Sequence, residues 1–218
     1  MKRLLIGLST AAMVALSAAP AGAAPNIYHT ISSTHGSAAV VETVGCERTE
    51  IFVSSMSGMF AAQPGPVNKQ GLTSVFVRVS DICAAPGRGV VLFQADGQNF
   101  APLDVDSRLT SASITTDLAG TDGDGNPVTI SLSASWTGTG PLEHDTLSSH
   151  ENIPDVGNVN SVDNNLRRAA TATVSVTVGG LAAAGTDSNA VLEQVKARCI
   201  EVARPGVEEF FPCFGFPG

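Results

Sequence analysis

Two histidines and several carboxylates crowd one short polar stretch, in which Glu143, His144 and Asp145 are followed by His150, Glu151 and Asp155. Imidazole and carboxylate are the ligands a zinc ion takes, and two histidines with one acid would leave a position open for an activated water, which is the chemistry of a metal-dependent hydrolase. The spacing from His144 to His150 fits no zinc helix, because His150-Glu151 is not continued as H-E-x-x-H. A solvated polar loop accounts for the same residues. A second constellation, Asp122, Asp124 and Asn126, alternates like the opening of a calcium loop. Pro127 stands where an EF-hand needs its glycine, and Ser133 stands where the loop needs its bidentate glutamate. Hairpin-turn chemistry explains the same residues and is the favoured reading. The chain contains neither G-x-S-x-G nor G-x-x-x-x-G-K-[ST], so the sequence offers no nucleophile elbow and no phosphate-cradling loop.

The elements that must hold these groups are strands. Val128, Ile130, Leu132, Ala134 and Trp136 alternate with Thr129, Ser131, Ser133, Ser135 and Thr137, a period of two that gives one apolar and one hydroxyl-rich face. Ala172, Val174, Val176 and Val178 repeat the pattern against Thr171, Thr173, Ser175 and Thr177. Weaker runs follow it at 38–44, 50–55, 73–80, 89–95, 103–109 and 112–118. Residues 63–71 and 120–127 read as loops, the second as the turn of a hairpin, and 138–168 reads as a long irregular insert carrying both histidines. Residues 190–202 fit a helical stripe and a strand face alike, and their neighbours favour strand. This predicts an all-β fold, an antiparallel two-layer β-sandwich of jelly-roll type with one long polar loop and Trp136 facing its core.

The N-terminal residues have the grammar of a secretory signal: Lys2 and Arg3, an apolar run from Leu4 to Leu16, then Ala21-Gly22-Ala23. Cleavage after Ala23 is expected, leaving a single domain over 24–218 and no membrane anchor, since the run is shorter than a bilayer span. Loss of the two basic residues takes the net charge from −8 to about −10, which disfavours nucleic acid and anionic lipid as partners. Export also assigns a role to Cys46, Cys83, Cys199 and Cys213, because an even count in an oxidising compartment reads as disulfides. Three connectivities are open. Pairing Cys46 with Cys83 and Cys199 with Cys213 is favoured, because each pair flanks a segment that must turn back on itself. The tail EEFFPCFGFPG is expected to pack over the sheet edge.

The segments TEIFVSS, SVFVRVSDIC, RLTSASI, VTISLSASWTGTGPL and RRAATATVSVTV, in that order over about residues 46 to 180, resemble a group of uncharacterised exported bacterial β-rich proteins. The most specific piece is Trp136-Thr137-Gly138-Thr139-Gly140, followed by Arg168 before the Ala-Thr-Ala strand. The resemblance implies a secreted or periplasmic β-domain and no particular activity. The leading functional reading is a non-catalytic structural, surface-interaction or ligand-binding module for an extracellular ligand or protein. Its rivals are the hydrolase built on His144 and His150, with zinc, and a calcium-stabilised adhesin-like domain using Asp122 and Asp124.

Overall fold

The computed structural model describes residues 27–63, 67–84 and 89–204. The signal segment, Cys213 and the aromatic tail lie outside the described residues. Ten strands follow one another without a helix among the described residues: β1 (Ile27–Val44), β2 (Glu47–Gln63), β3 (Val67–Asp81), β4 (Val90–Asn99), β5 (Asp104–Val105), β6 (Ser111–Asp122), β7 (Pro127–Gly138), β8 (Glu143–Ile153), β9 (Gly157–Val178) and β10 (Leu181–Ala203). The ambiguous segment 190–202 is strand. The expected strand at 103–109 is replaced by short β5 and a turn, and the expected loop at 63–71 narrows because β2 and β3 run toward each other as one long hairpin.

All pairings are antiparallel, as predicted, but the strands form one 10-stranded sheet in place of a jelly roll. Nearly every strand pairs with its neighbour in the chain, and the order β10-β1-β2-β3-β4-β6-β7-β9 is closed by the additional β10–β9 ladder. The sheet thus meets itself and forms a barrel wall, with β8 attached outside the ring to the N-terminal half of β9. Closure depends on β1 and β10, which pair from Ile27↔Glu201 to Ser37↔Val191. Alternation decides what the ring encloses. Val40, Ile51, Val53, Val75, Val77, Leu132, Val174 and Val176 point inward and are at most 3% exposed, whereas the Ser and Thr residues between them face out. Trp136 is 1% exposed, as its apolar face predicts, and its Nε1–H donates to the Ser37 carbonyl at 3.0 Å, joining β7 to β1 across the interior. The contact is tight enough that a Cβ at Gly36 would lie 3.2 Å from the Trp136 ring and 3.3 Å from Leu103 and Leu192.

Beyond Ser37 the two closing strands part. A register shift falls between Asp187 and Ala190, and the backbone of β1 from Ala38 onward pairs with β2 alone. Asp187 fills the gap: its Oδ2 accepts the Ala39 N–H at 2.8 Å and its Oδ1 accepts the Asn189 N–H at 2.8 Å, with the residue 9% exposed. At the same end Cys46 and Cys83 are joined, as expected, with Cα atoms 5.2 Å apart. The bridge closes a loop of 37 residues, for which the chain-entropy model gives about 3–4 kcal/mol. Cys199 is also disulfide-bonded, and its expected partner Cys213 lies outside the described residues.

Replacing Asp187 with Ala removes the acceptor of the Ala39 N–H and the Asn189 N–H and should destabilise the protein by about 1 kcal/mol, read as a lower urea midpoint with an unchanged slope. An unchanged midpoint would show that the splayed strands hold each other without the carboxylate.

Candidate functional site

The stretch holding the two histidines is a hairpin. β8 lies at the sheet edge with β9, so residues 143–152 stand exposed on both faces, which explains why no alternation marks them in the sequence. His144 and His150 sit six residues apart on that single extended strand, about 20 Å at the usual rise. Each already has a neighbour: His144 Nε2 lies 3.3 Å from Thr146 Oγ1, and His150 Nδ1–H donates to Asn160 Oδ1 at 2.5 Å. The acids beside them pair elsewhere in register, Glu143 facing Arg167 and Glu151 facing Val159. The two histidines are not brought to one ion.

Asp122 and Asp124 lie in the β6–β7 turn. The Asp122 carboxylate accepts the Asp124 N–H at 3.0 Å, the Asn126 N–H at 2.8 Å and the Asn126 amide at 3.0 Å, and Gly125 takes the positive φ of 84° that the turn requires. The Asn126 side-chain amide, helped by backbone N–H groups, holds the Asp122 carboxyl below the ordinary aspartate range. These are the bonds of an Asx-stabilised turn, with the oxygens directed at the chain's own donors. Among the described residues, the side chains that do cluster at metal-ligand distances are Cys46, Asp81 and Cys83, and there both sulfurs are committed to the disulfide.

A second aspartate-centred turn closes the other end of β6. Burial alone would raise the Asp106 carboxyl, but hydrogen bonds from the Thr110 hydroxyl and from the Arg108, Ser111 and Thr110 N–H groups hold it well below the usual range. The turn forces Leu109 to φ 56°, which an L-residue seldom adopts, and so drives its side chain into the core at 0% exposure. The sequence motif around Trp136 has its explanation beside this turn. A Cβ at Gly138 would collide with the Arg168 Cδ and lie 2.5 Å from the Leu109 carbonyl, while Thr139 N–H bonds Ala169 O at 2.8 Å. The glycine lets Arg168 cross the end of β7, which ties the two separated parts of the motif together in space.

Smaller hollows lie beside His144 and beside Asp122, and two larger concave surfaces lie away from the residues singled out in the sequence. One is a groove of 910 Å³ on the outer wall, crossing β1, β2, β3, β4 and β6. Its floor carries two cross-strand rows set by the register: Ala39, Phe52, Phe76, Asp96 and Thr121, and beside them Ser37, Ser54, Ser74, Gln98 and Ala119. Phe52 is 44% exposed, and its ring lies 6.1 Å from that of Phe76 at a tilt of 42°. Outward-facing phenylalanines are legible in TEIFVSS and SVFVRVS once Ile51, Val53, Val75 and Val77 are taken as inward, but the sequence does not show that the two rings meet. The second concavity, of 610 Å³, lies where the segment 100–107 covers β1, β2 and β10. Comparison with protein families, curated proteins and solved structures finds no match.

Two outcomes follow. Substituting Gly138→Ala should lower stability by about 1–3 kcal/mol, the usual penalty for forcing atoms into filled space, whereas Gly125→Ala should act through backbone strain alone. Asp106→Asn should lose stability at neutral pH, and its deficit should shrink as pH falls below about 4. The native carboxyl is depressed, so its contribution is complete above the unfolded value and is lost as pH falls toward the native one. Urea titrations of the variant and parent across that range read the difference, and a deficit independent of pH would contradict the assignment.

Proposed function

We propose that the chain is an exported, non-catalytic binding module that holds an extended, basic and apolar segment of another protein across its outer wall. The observation that carries this reading is the Phe52–Phe76 pair, with Phe52 exposed and Phe76 partly exposed, in a groove on the outer side of the sheet, which is rich in Ser and Thr. Val41, Met56 and Leu72 are also exposed on the outer side of β1, β2 and β3, so apolar surface extends beyond the groove. Asp96 faces Phe76 directly, Asp187 lines one end, and no Lys or Arg lines the groove among the described residues. An arginine or lysine laid over the rings would gain a cation–π contact and the Asp96 carboxylate together. The five strands crossed span about 19 Å, the reach of about six extended residues.

Export is supported by the signal-like N-terminus and by the Cys46–Cys83 bridge, which is compatible with an extracellular or periplasmic location. No helix among the described residues is long and apolar enough to cross a membrane. The wall is apolar within and hydroxyl-rich without, the reverse of a barrel that faces lipid, which supports an aqueous setting.

Synthetic hexapeptides of Arg, Lys and Leu should bind the mature protein in a salt-dependent way, and acidic or neutral counterparts should not. The double change Phe52→Ser and Phe76→Ser should weaken binding at least about tenfold without lowering the melting temperature, because the removed rings are surface groups. Equal binding of acidic peptides, or full binding by the double variant, would overturn the reading.

A further inference from the structure

The second concavity has a floor of a different chemistry. Ring closure sets an inward-facing cross-strand row of Leu166, Gln194, Thr34 and Ser57, and the segment 100–107 passes over it. That segment is held down by Leu103, 4% exposed, and by the close approach of Pro102 to Gly71, where a Cβ would lie 2.8 Å from the Ala101 carbonyl carbon. Thr34 and Gln194 are each 7% exposed, so these polar groups lie at depth, and the next row inward also buries Ser55 and Thr73, whose hydroxyls bond each other at 2.8 Å. Thr34 Oγ1 and Ser57 Oγ are 2.6 Å apart and satisfy each other. Gln194 Oε1 is buried without a hydrogen-bond partner. A buried amide oxygen in that state is destabilising unless something entering the pocket donates to it.

We propose that this pocket is a binding site for a polyhydroxylated ligand, a single pyranose residue of an uncharged glycan. Gln194, whose buried Oε1 lacks a donor, pairs with Thr34 in the closing ladder and lines the pocket beside the Thr34–Ser57 hydroxyl pair, and the matching ligand carries adjacent O–H donors that reach this amide when its side chain turns toward the pocket. Phe100, 85% exposed at the rim, offers an apolar face of the kind that packs against the C–H side of a sugar ring. Lys69 and Asp104 both line the pocket with opposite charges, so the site has no single sign that would select an ion over a neutral molecule. The concavity of 610 Å³ admits one ring with its substituents. It is separate from the Phe52–Phe76 groove, and either site can fail without the other.

The test is NMR titration of the mature protein with the methyl glycosides of glucose, galactose, mannose and N-acetylglucosamine. At least one should shift the backbone amides of Thr34, Ser57 and Gln194 in a saturable way. Gln194→Met keeps the side-chain length and removes the acceptor, so it should weaken that binding at least about tenfold while leaving the melting temperature equal or higher. Phe100→Ala should weaken binding without affecting the fold, and the Phe52→Ser, Phe76→Ser protein should bind sugar normally. The proposal is overturned by the absence of saturable shifts with all four glycosides, or by shifts centred elsewhere on the wall. It is equally overturned if Gln194→Met binds sugar as the parent does, or if that change lowers the melting temperature, which would show that the amide already serves the fold.

Discussion

Everything else in the structure rests on the ladder between β1 and β10, because it turns a sheet with two free edges into a wall that encloses a core. Hydrogen bonds across a closure carry no sequence preference of their own, so the register is fixed by what the side chains do once the ring is shut. Trp136 reaches from β7 to the Ser37 carbonyl, and Gly36 leaves the room that its ring, Leu103 and Leu192 occupy. A slip of one residue in β1 would move Ala38 and Val40 out of the core and put Ala39 and Val41 in their place. Where the ladder ends, the carboxylate of Asp187 takes over the N–H of Ala39, so the opening seam leaves that donor satisfied.

Closure also sorts the surface from the interior and so decides which departures mean something. On a wall with an apolar inside and a largely hydroxyl-rich outside, a pair of outward phenylalanines in ring contact and a buried, unmatched glutamine oxygen are among the exceptions. Both lie in concavities, and neither is explained by holding the wall together. The charged residues that first attract attention behave otherwise. Asp106 and Asp122 have their oxygens filled by the backbone of their own turns, and His144 and His150 are spread along an edge strand whose charge and polarity discourage further strand pairing.

Strand existence was plain in the sequence wherever one face is buried. Val75, Val77 and Val79 share the inward side as their spacing says, and the runs at 128–137 and 171–178 are β7 and the end of β9. The pattern failed where its physical cause is missing. β8 has no buried face and so has no period. The segment at 190–202 reads two ways because Leu192 and Gln194 are buried on one side of β10 while Ala197 and Cys199, at odd spacing from them, are buried on the other. Closure joins residues more than 150 positions apart, as in Ile27↔Glu201, and local periodicity holds no trace of such a pairing. The two concavities were invisible for the same reason, since each is assembled from rows that cross several strands. What the turn residues could show, they did: Asp122 to Asn126 read as a hairpin turn, and that is how they are used.

The most direct test of closure is amide hydrogen exchange resolved by residue along β1. Between residues 30 and 37 the strand has a partner on both sides, so consecutive amides should all exchange slowly. Between 38 and 44 it pairs with β2 alone, so slow and fast amides should alternate, with Ala39 protected by Asp187. Alternating fast exchange through 30–37 would mean that β1 is a free edge and that the sheet does not close.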